Sequence, residues 1–250
     1  MPDRREFVVA LAGQAWLAFR AEAGSIRRQQ QDAARLSARA RVPTATIRPG
    51  THPLNLGVER DGVLHVPPTY RPDLPMPLLL ALHGAGGRGQ YQLNGWRPLA
   101  DERGFLVLAP DSRGPTWDIA YGGFGRDVRF INDALADVFR RCHVNAERTV
   151  ISGFSDGASY ALSLGLANGD LFKRVVAFSP GFMVPAEWHG TPRIFMSHGT
   201  ADRILPIDAT SRRLRPMLER AGYRVTFREF EGGHDVPAAI RADATTWMLG

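Results

Sequence analysis

Thr149-Val150-Ile151-Ser152-Gly153-Phe154-Ser155-Asp156-Gly157-Ala158-Ser159-Tyr160-Ala161-Leu162-Ser163-Leu164-Gly165 is the stretch from which the fold can be read. Its first four residues make a short, largely β-branched run of the kind that forms a buried strand. From Asp156 onward, Ala158, Ala161, Leu162 and Gly165 fall at helical spacing. The junction has the form G-x-S-x-G. A strand that turns this sharply into a helix holds its central residue in a strained backbone and presents the side chain above the sheet. A Cβ at Gly153 or Gly157 would crowd the turn. Ser155 is therefore the candidate nucleophile. An ordinary Gly/Ser turn can match five loosely specified positions by chance, so the reading depends on the flanking elements and on partners elsewhere.

A serine hydroxyl attacks poorly at neutral pH unless a base takes its proton, and the base needs a carboxylate to hold its tautomer. Asp202 lies in the loop His198-Gly199-Thr200-Ala201-Asp202, after a strand expected over Arg193 to Met196. His234 lies in Glu231-Gly232-Gly233-His234, after a strand expected over Arg224 to Phe230. The order serine, aspartate, histidine, each in a loop after a strand, suits this chemistry on a wound α/β sheet. Asp235 adjoins His234 and cannot easily turn back onto its ring. Asp208 reads as a cap of the next helix, and His198 as a residue shaping the turn. His52, His65, His143 and His189 read as ordinary structural histidines. Acyl transfer also needs N–H donors for a developing oxyanion. The amide after the nucleophile, Asp156, and that of Ala85 in His83-Gly84-Ala85-Gly86-Gly87 are the expected pair. That glycine run is not a phosphate cradle, since no G-K-[ST] follows it.

Working outward, Leu78 to Leu82 is an apolar run without alternation, as in a strand covered on both faces. Asn55 to Val58, an Asp61-Gly62 turn and Val63 to Val66 suggest a leading hairpin. A helix is expected over Trp96 to Arg103 and a strand over Phe105 to Ala109. Val128, Ile131, Leu135, Val138 and Phe139 share a helical face. Further elements are strands at Val175 to Phe178, Arg193 to Met196 and Arg224 to Phe230, and helices at Thr210 to Ala221 and Pro237 to Met248. This alternation predicts an α/β fold: a mostly parallel sheet, helices on both faces, and an antiparallel edge from the hairpin. Ligands in such sheets bind beyond the C-terminal strand ends, where every motif above falls.

With 250 residues, 44% of them hydrophobic, the chain can bury a full core. The single Cys142 rules out an intrachain disulfide or a cysteine-rich zinc site. The net charge of +6 is uneven, because residues 1–49 hold nine arginines against four acids. The rest is nearly neutral, which gives no support to a nucleic-acid groove. Residues 1–23 read as an export signal: Arg4-Arg5, an apolar run from Phe7 to Phe19, and Ala21-Glu22-Ala23 as a cleavage candidate. Arg4-Arg5-Glu6-Phe7-Val8-Val9 resembles the twin-arginine signature. The run is too short to span a bilayer, so no stable membrane insertion is expected. An amphipathic helix on a cytoplasmic protein is the competing reading; export would place the protein in the periplasm or outside the cell. Residues 24–49 read as a polar Arg/Gln-rich linker, and 50–250 as the catalytic domain.

From about Gly50 onward, L-H-G-A-G-G, A-P-D-S-R-G-P-T-W-D, G-F-S-D-G-A-S, H-G-T-A-D and G-G-H together resemble the α/β-hydrolase superfamily. Within it they resemble the phospholipase/carboxylesterase and polyhydroxybutyrate-depolymerase-like group. The resemblance implies a serine esterase using Ser155, Asp202 and His234, acting on a small or oligomeric ester without metal or organic cofactor. Pro180 to Pro192 is too short for a helical cap domain, so an open site is expected. Trp117, Tyr121, Phe124, Phe182 and Met183 could line an acyl or aromatic pocket or simply pack the core. A serine peptidase on the same fold, or a binding protein with a basic N-terminal arm, are the rival readings.

Overall fold

The computed structural model describes residues 33–57, 59–184 and 187–250. The expected export segment, residues 1–23, lies outside them. Eight strands form one sheet in the order β1-β2-β4-β3-β5-β6-β7-β8. They are β1 Gly50–Pro53, β2 Gly62–Val66, β3 Met76–Leu82, β4 Leu106–Pro110, β5 Val144–Phe154, β6 Arg174–Phe178, β7 Arg193–Gly199 and β8 Val225–Phe230. From β4 to β8 all pairings are parallel, whereas β1 and β2 add the antiparallel edge.

The helices are α1 Gly89–Arg103, α2 Arg126–Arg141, α3 Asp156–Ala167, α4 Ser211–Arg220 and α5 Ala238–Leu249. Strand side chains alternate between two buried layers, which explains why the strands read as continuous apolar runs. Leu78, Leu80, Leu82, Leu106 and Leu108 pack on the face covered by α2 and α3. Leu79, Ala81, Val107 and Ala109 pack on the face covered by α1 and α5, with Trp96 and Ile240. The predicted α2 stripe of Val128, Ile131, Leu135, Val138 and Phe139 is buried as expected. Truncating one such leucine to alanine would cost about 2–5 kcal/mol.

Three expectations change. The first hairpin strand is Gly50–Pro53 rather than Asn55 to Val58, of which Val58 lies outside the described residues. Asn55 has φ 56°, and the Asp61 carboxylate accepts the amides of Asn55 and Leu56 at 2.6 and 3.2 Å, curling this stretch into a loop. Helix α1 begins at Gly89, well before Trp96, because Asp111 arrives from β4 to accept the Gly89 amide at 2.7 Å. The segment expected as a linker is, over its described part, docked on the domain. Leu36 is buried, its amide donates to Asn168 Oδ1 at 2.8 Å, and Asn132 Oδ1 accepts the amides of Ser37 and Ala38. Arg35 grips Asp170 through two bonds of 3.0 Å. Its polar composition hides this, since several of its anchors are backbone groups met by side chains from α2 and the end of α3.

The chain runs from β3 to β4 on one side of β3 and then to β5 on the other. That reversal opens a crevice beyond the C-terminal ends of β3 and β5. The loop after Leu82 and the turn after Phe154 meet there.

Candidate active site

Ser155 stands alone between β5 and α3 with φ 56° and ψ −122°. Such a backbone costs a non-glycine residue on the order of 1–3 kcal/mol and persists only when its surroundings over-determine it. Here the Ser155 amide donates to Phe178 O at 2.9 Å, and its carbonyl accepts the amides of Ala158 and Ser159. Neither Gly153 nor Gly157 has a positive φ; close approach is what demands them. A Cβ on Gly153 would lie 2.0 Å from Gly157 O, and one on Gly157 would lie 2.4 Å from the carbonyls of Leu82 and His83.

The three side chains singled out in the sequence meet. His234 Nε2 is 2.9 Å from Ser155 Oγ, and His234 Nδ1 is 2.6 Å from Asp202 Oδ2. A carboxylate only accepts, so Nδ1 carries the proton and Nε2 is free to accept from the serine hydroxyl. Asp202 is buried, and its Oδ1 accepts the amides of Ile204 and Leu205 at 2.9 and 2.8 Å. Burial pushes its pKa up, but the Leu205 amide and the His234 hydrogen bond outweigh this and hold it below the usual carboxylate value. The Phe154 ring lies 4.8 Å from the imidazole of His234.

His198 does shape the turn, and it also reaches Asp202. Its Nε2 is 2.7 Å from Leu205 O and 3.1 Å from Asp202 Oδ2. A carbonyl only accepts, so Nε2 bears the proton, and Nδ1 faces the Ser211 hydroxyl at 2.7 Å. Burial lowers the pKa of this ring and favours its neutral form. Asp208, by contrast, pairs with Arg212 on the surface.

The loop after β3 packs directly on the elbow: a Cβ on Gly84 would lie 3.3 Å from Ser155 Cβ. His83 organises this loop. Its Nε2 accepts the Ser112 amide at 2.9 Å, so its proton is on Nδ1, which donates to Gly84 O at 2.7 Å. The Gly87 amide closes the turn on the same carbonyl. Ala85 sits inside this turn, and its amide has no acceptor among the described residues. Asp156 opens α3, where first-turn amides lack intrahelical acceptors.

The expected pocket lining divides. Trp117 is 1% exposed, so it is not part of an open wall. Its indole N–H donates to His83 O at 2.8 Å, and its ring stacks between His83 and Tyr160. Tyr121 is 69% exposed and Phe182 37%. Phe182 follows Gly181, and the amides of both donate to Ser159 Oγ. His83, Thr116 and Ser159 are supporting residues to which motif reading assigned no role, Thr116 through its hydroxyl, which donates to Asp156 Oδ2; of the three only His83 carries a local signal, at the head of its glycine-containing loop.

The sequence profile of the phospholipase/carboxylesterase family matches residues 123–247. The bifunctional acetylxylan esterase/xylanase XynS20E of Neocallimastix patriciarum is 30% identical over 160 residues, 60% of this chain and 22% of that protein. A probable feruloyl esterase C of Aspergillus flavus is 27% identical over 171 residues, 65% of this chain and 61% of that protein. The matched region thus spans less than two thirds of either relative. Among solved structures, the substrate-bound fluorophosphonate-binding serine hydrolase FphF of Staphylococcus aureus aligns with a TM-score of 0.63 at 18% identity. That alignment covers 82% of this chain and 100% of that one, a likeness of fold. A profile spanning half the chain, on a wound sheet with its elbow at the strand-order reversal, makes this protein a member of the phospholipase/carboxylesterase family, with the α/β-hydrolase fold.

Proposed function

We propose that the protein hydrolyses carboxylic esters through an acyl-enzyme, with Ser155 as nucleophile, His234 as general base and acid, and Asp202 as the group that orients His234. The observation that carries this reading is the unbroken chain from Ser155 Oγ through His234 to Asp202, at 2.9 and 2.6 Å. In the first step Ser155 Oγ bonds to the ester carbonyl carbon while its proton passes to His234 Nε2. The amides of Ala85 and Asp156 hold the resulting oxyanion. Collapse expels the alcohol, which takes the proton from His234, and a water then repeats the sequence to release the acid and regenerate the serine. Each step moves one proton between His234 Nε2 and an oxygen of the serine, the leaving alcohol or water, so the scheme calls on no cofactor.

The names of the two relatives support acetyl or aromatic acyl esters as the substrate class, with Tyr121 and Phe182 as flanking surfaces. Residues 181–184 and 187–192 contain no helix, which supports a site open enough for a bulky alcohol portion. Among the described residues no helix is long and apolar enough to cross a membrane. Export through residues 1–23 belongs to the same proposal and is tested by locating the protein in cell fractions with and without Arg4-Arg5.

Turnover of p-nitrophenyl acetate, butyrate and octanoate and of methyl ferulate tests the reaction and ranks the acyl groups. Ser155→Ala is expected to abolish hydrolysis of all four, and undiminished turnover in that variant would overturn the reading. Matched ester and amide substrates separate an esterase from a peptidase.

A further inference from the structure

The loop after β4 is bonded to both halves of the proposed oxyanion hole. On the Ala85 side, the Ser112 amide donates to His83 Nε2 at 2.9 Å, the Gly86 amide donates to Pro115 O at 2.8 Å, and Trp117 Nε1 donates to His83 O at 2.8 Å. On the Asp156 side, Thr116 Oγ1 donates to Asp156 Oδ2 at 2.7 Å. Adjacent residues in one loop therefore tie down the two segments whose amides must converge on one oxygen.

The loop is itself fixed from behind. The Asp127 carboxylate accepts the amides of Arg113 and Asp118 at 2.5 and 2.7 Å, and Asp118 Oδ2 accepts the Asp127 amide at 2.8 Å. Asp118 Oδ1 accepts the hydroxyl of Tyr160, which belongs to α3, at 3.0 Å. The clamp thus closes on the same helix whose first amide is Asp156.

We propose that residues 112–118 are a positioning clamp for the oxyanion hole, in which Thr116 and Trp117 set the separation of the Ala85 and Asp156 amides. Thr116 has a second task. Asp156 carries a carboxylate one residue from the nucleophile, and a free carboxylate near a developing oxyanion would oppose it. The Thr116 hydroxyl keeps that carboxylate drawn to the loop. Both residues act through others and neither touches substrate.

This inference rests on the proposed ester hydrolysis, so Ser155→Ala serves as the gauge in the test. Thr116→Val keeps the side-chain shape and removes the donor, whereas Thr116→Ser keeps the donor. Trp117→Phe removes the indole N–H and keeps a ring against Tyr160. The readouts are kcat and KM for p-nitrophenyl acetate, and the inhibition constant of phenylboronic acid, whose tetrahedral adduct with serine places an oxygen where the oxyanion forms. Misplacing a reacting group by a fraction of its reach can cost up to about 10²-fold, so a loosened hole is expected to lower kcat about tenfold and weaken the boronate about tenfold, with KM little changed. Thr116→Ser should restore both constants to within about twofold of the parent. The clamp is overturned if Thr116→Val and Trp117→Phe leave both constants unchanged, if the loss appears in KM alone, or if Thr116→Ser is as impaired as Thr116→Val. If Ser155→Ala still turns over substrate, the reaction scheme itself fails; a dead Ser155→Ala beside unimpaired Thr116 and Trp117 variants sinks the clamp alone.

Discussion

Of the hydroxyl–imidazole–carboxylate chains among the described residues, two stand in contrast. One joins Ser155, His234 and Asp202 at 2.9 and 2.6 Å. The other joins Thr51, His65 and Asp101, with Thr51 Oγ1 2.9 Å from His65 Nδ1 and His65 Nε2 2.7 Å from Asp101 Oδ1. The side-chain distances barely differ, and the backbone around them differs completely. Ser155 is forced to a positive φ at the start of a helix, beside a turn with an uncommitted amide. Thr51 lies in edge strand β1, directly opposite His65 in the β1–β2 register. Asp202 is buried and takes two amides on its second oxygen; the Asp101 side chain is 37% exposed. The hydrogen-bonded triplet is common to both places; under the proposed mechanism, the amides beside the Ser155 hydroxyl and the enclosed Asp202 carboxylate are what set the first chain apart.

This contrast can be broken by experiment, most forcefully at the hydroxyls. Ser155→Ala should lower kcat for p-nitrophenyl acetate by about 10⁵ or more, whereas Thr51→Ala should leave it unchanged. Adding Thr51→Ser to Ser155→Ala should regain nothing, and any recovered serine-dependent turnover would show that the strand environment suffices after all. The carboxylates come next. Asp202→Asn should cost about 10⁴ in kcat, because an amide no longer fixes the imidazole tautomer. Asp101→Asn should leave kcat alone and lower stability by no more than about 1 kcal/mol, as expected for a partly exposed pair. Equal rate losses in the two variants would erase the distinction.

The Ser155–His234–Asp202 chain was legible in the sequence because its determinants are local. G-x-S-x-G reports that two backbone strands pass too close for a Cβ at Gly153 or Gly157, and Asp202 and His234 each follow a strand whose apolar run is plain. The sheet and both helical layers followed from continuous apolar runs alternating with helical stripes. The supports were less visible because their partners are distant. Trp117 is committed to His83, 34 residues away, and the start of α1 depends on Asp111, 22 residues on. The docking of Leu36 depends on Asn168, 132 residues on. None of these ties leaves a periodicity or a spacing to read, so an aromatic residue near the site looked like pocket lining and a polar segment like linker.

The smallest expected effect is thermodynamic, and it asks whether the enclosed carboxylate works through charge or only through shape. Asp202 in the fold lies below the ordinary 3.8: burial opposes its charge, but the amides of Leu205 and Ile204 and the His234 hydrogen bond more than compensate. A depressed folded pKa means that the unfolded chain binds the proton more readily. The charge therefore adds stability above the unfolded value, and that gain is lost as pH falls through the lower folded value. Urea midpoints of the parent and of Asp202→Asn, measured from neutral pH downward, should show a constant gap until about pH 4 and a narrowing gap below it. A gap that persists unchanged into stronger acid would mean that the carboxylate is held for its outline alone. The two triplets would then differ in enclosure but not in the electrostatic work that their aspartates perform.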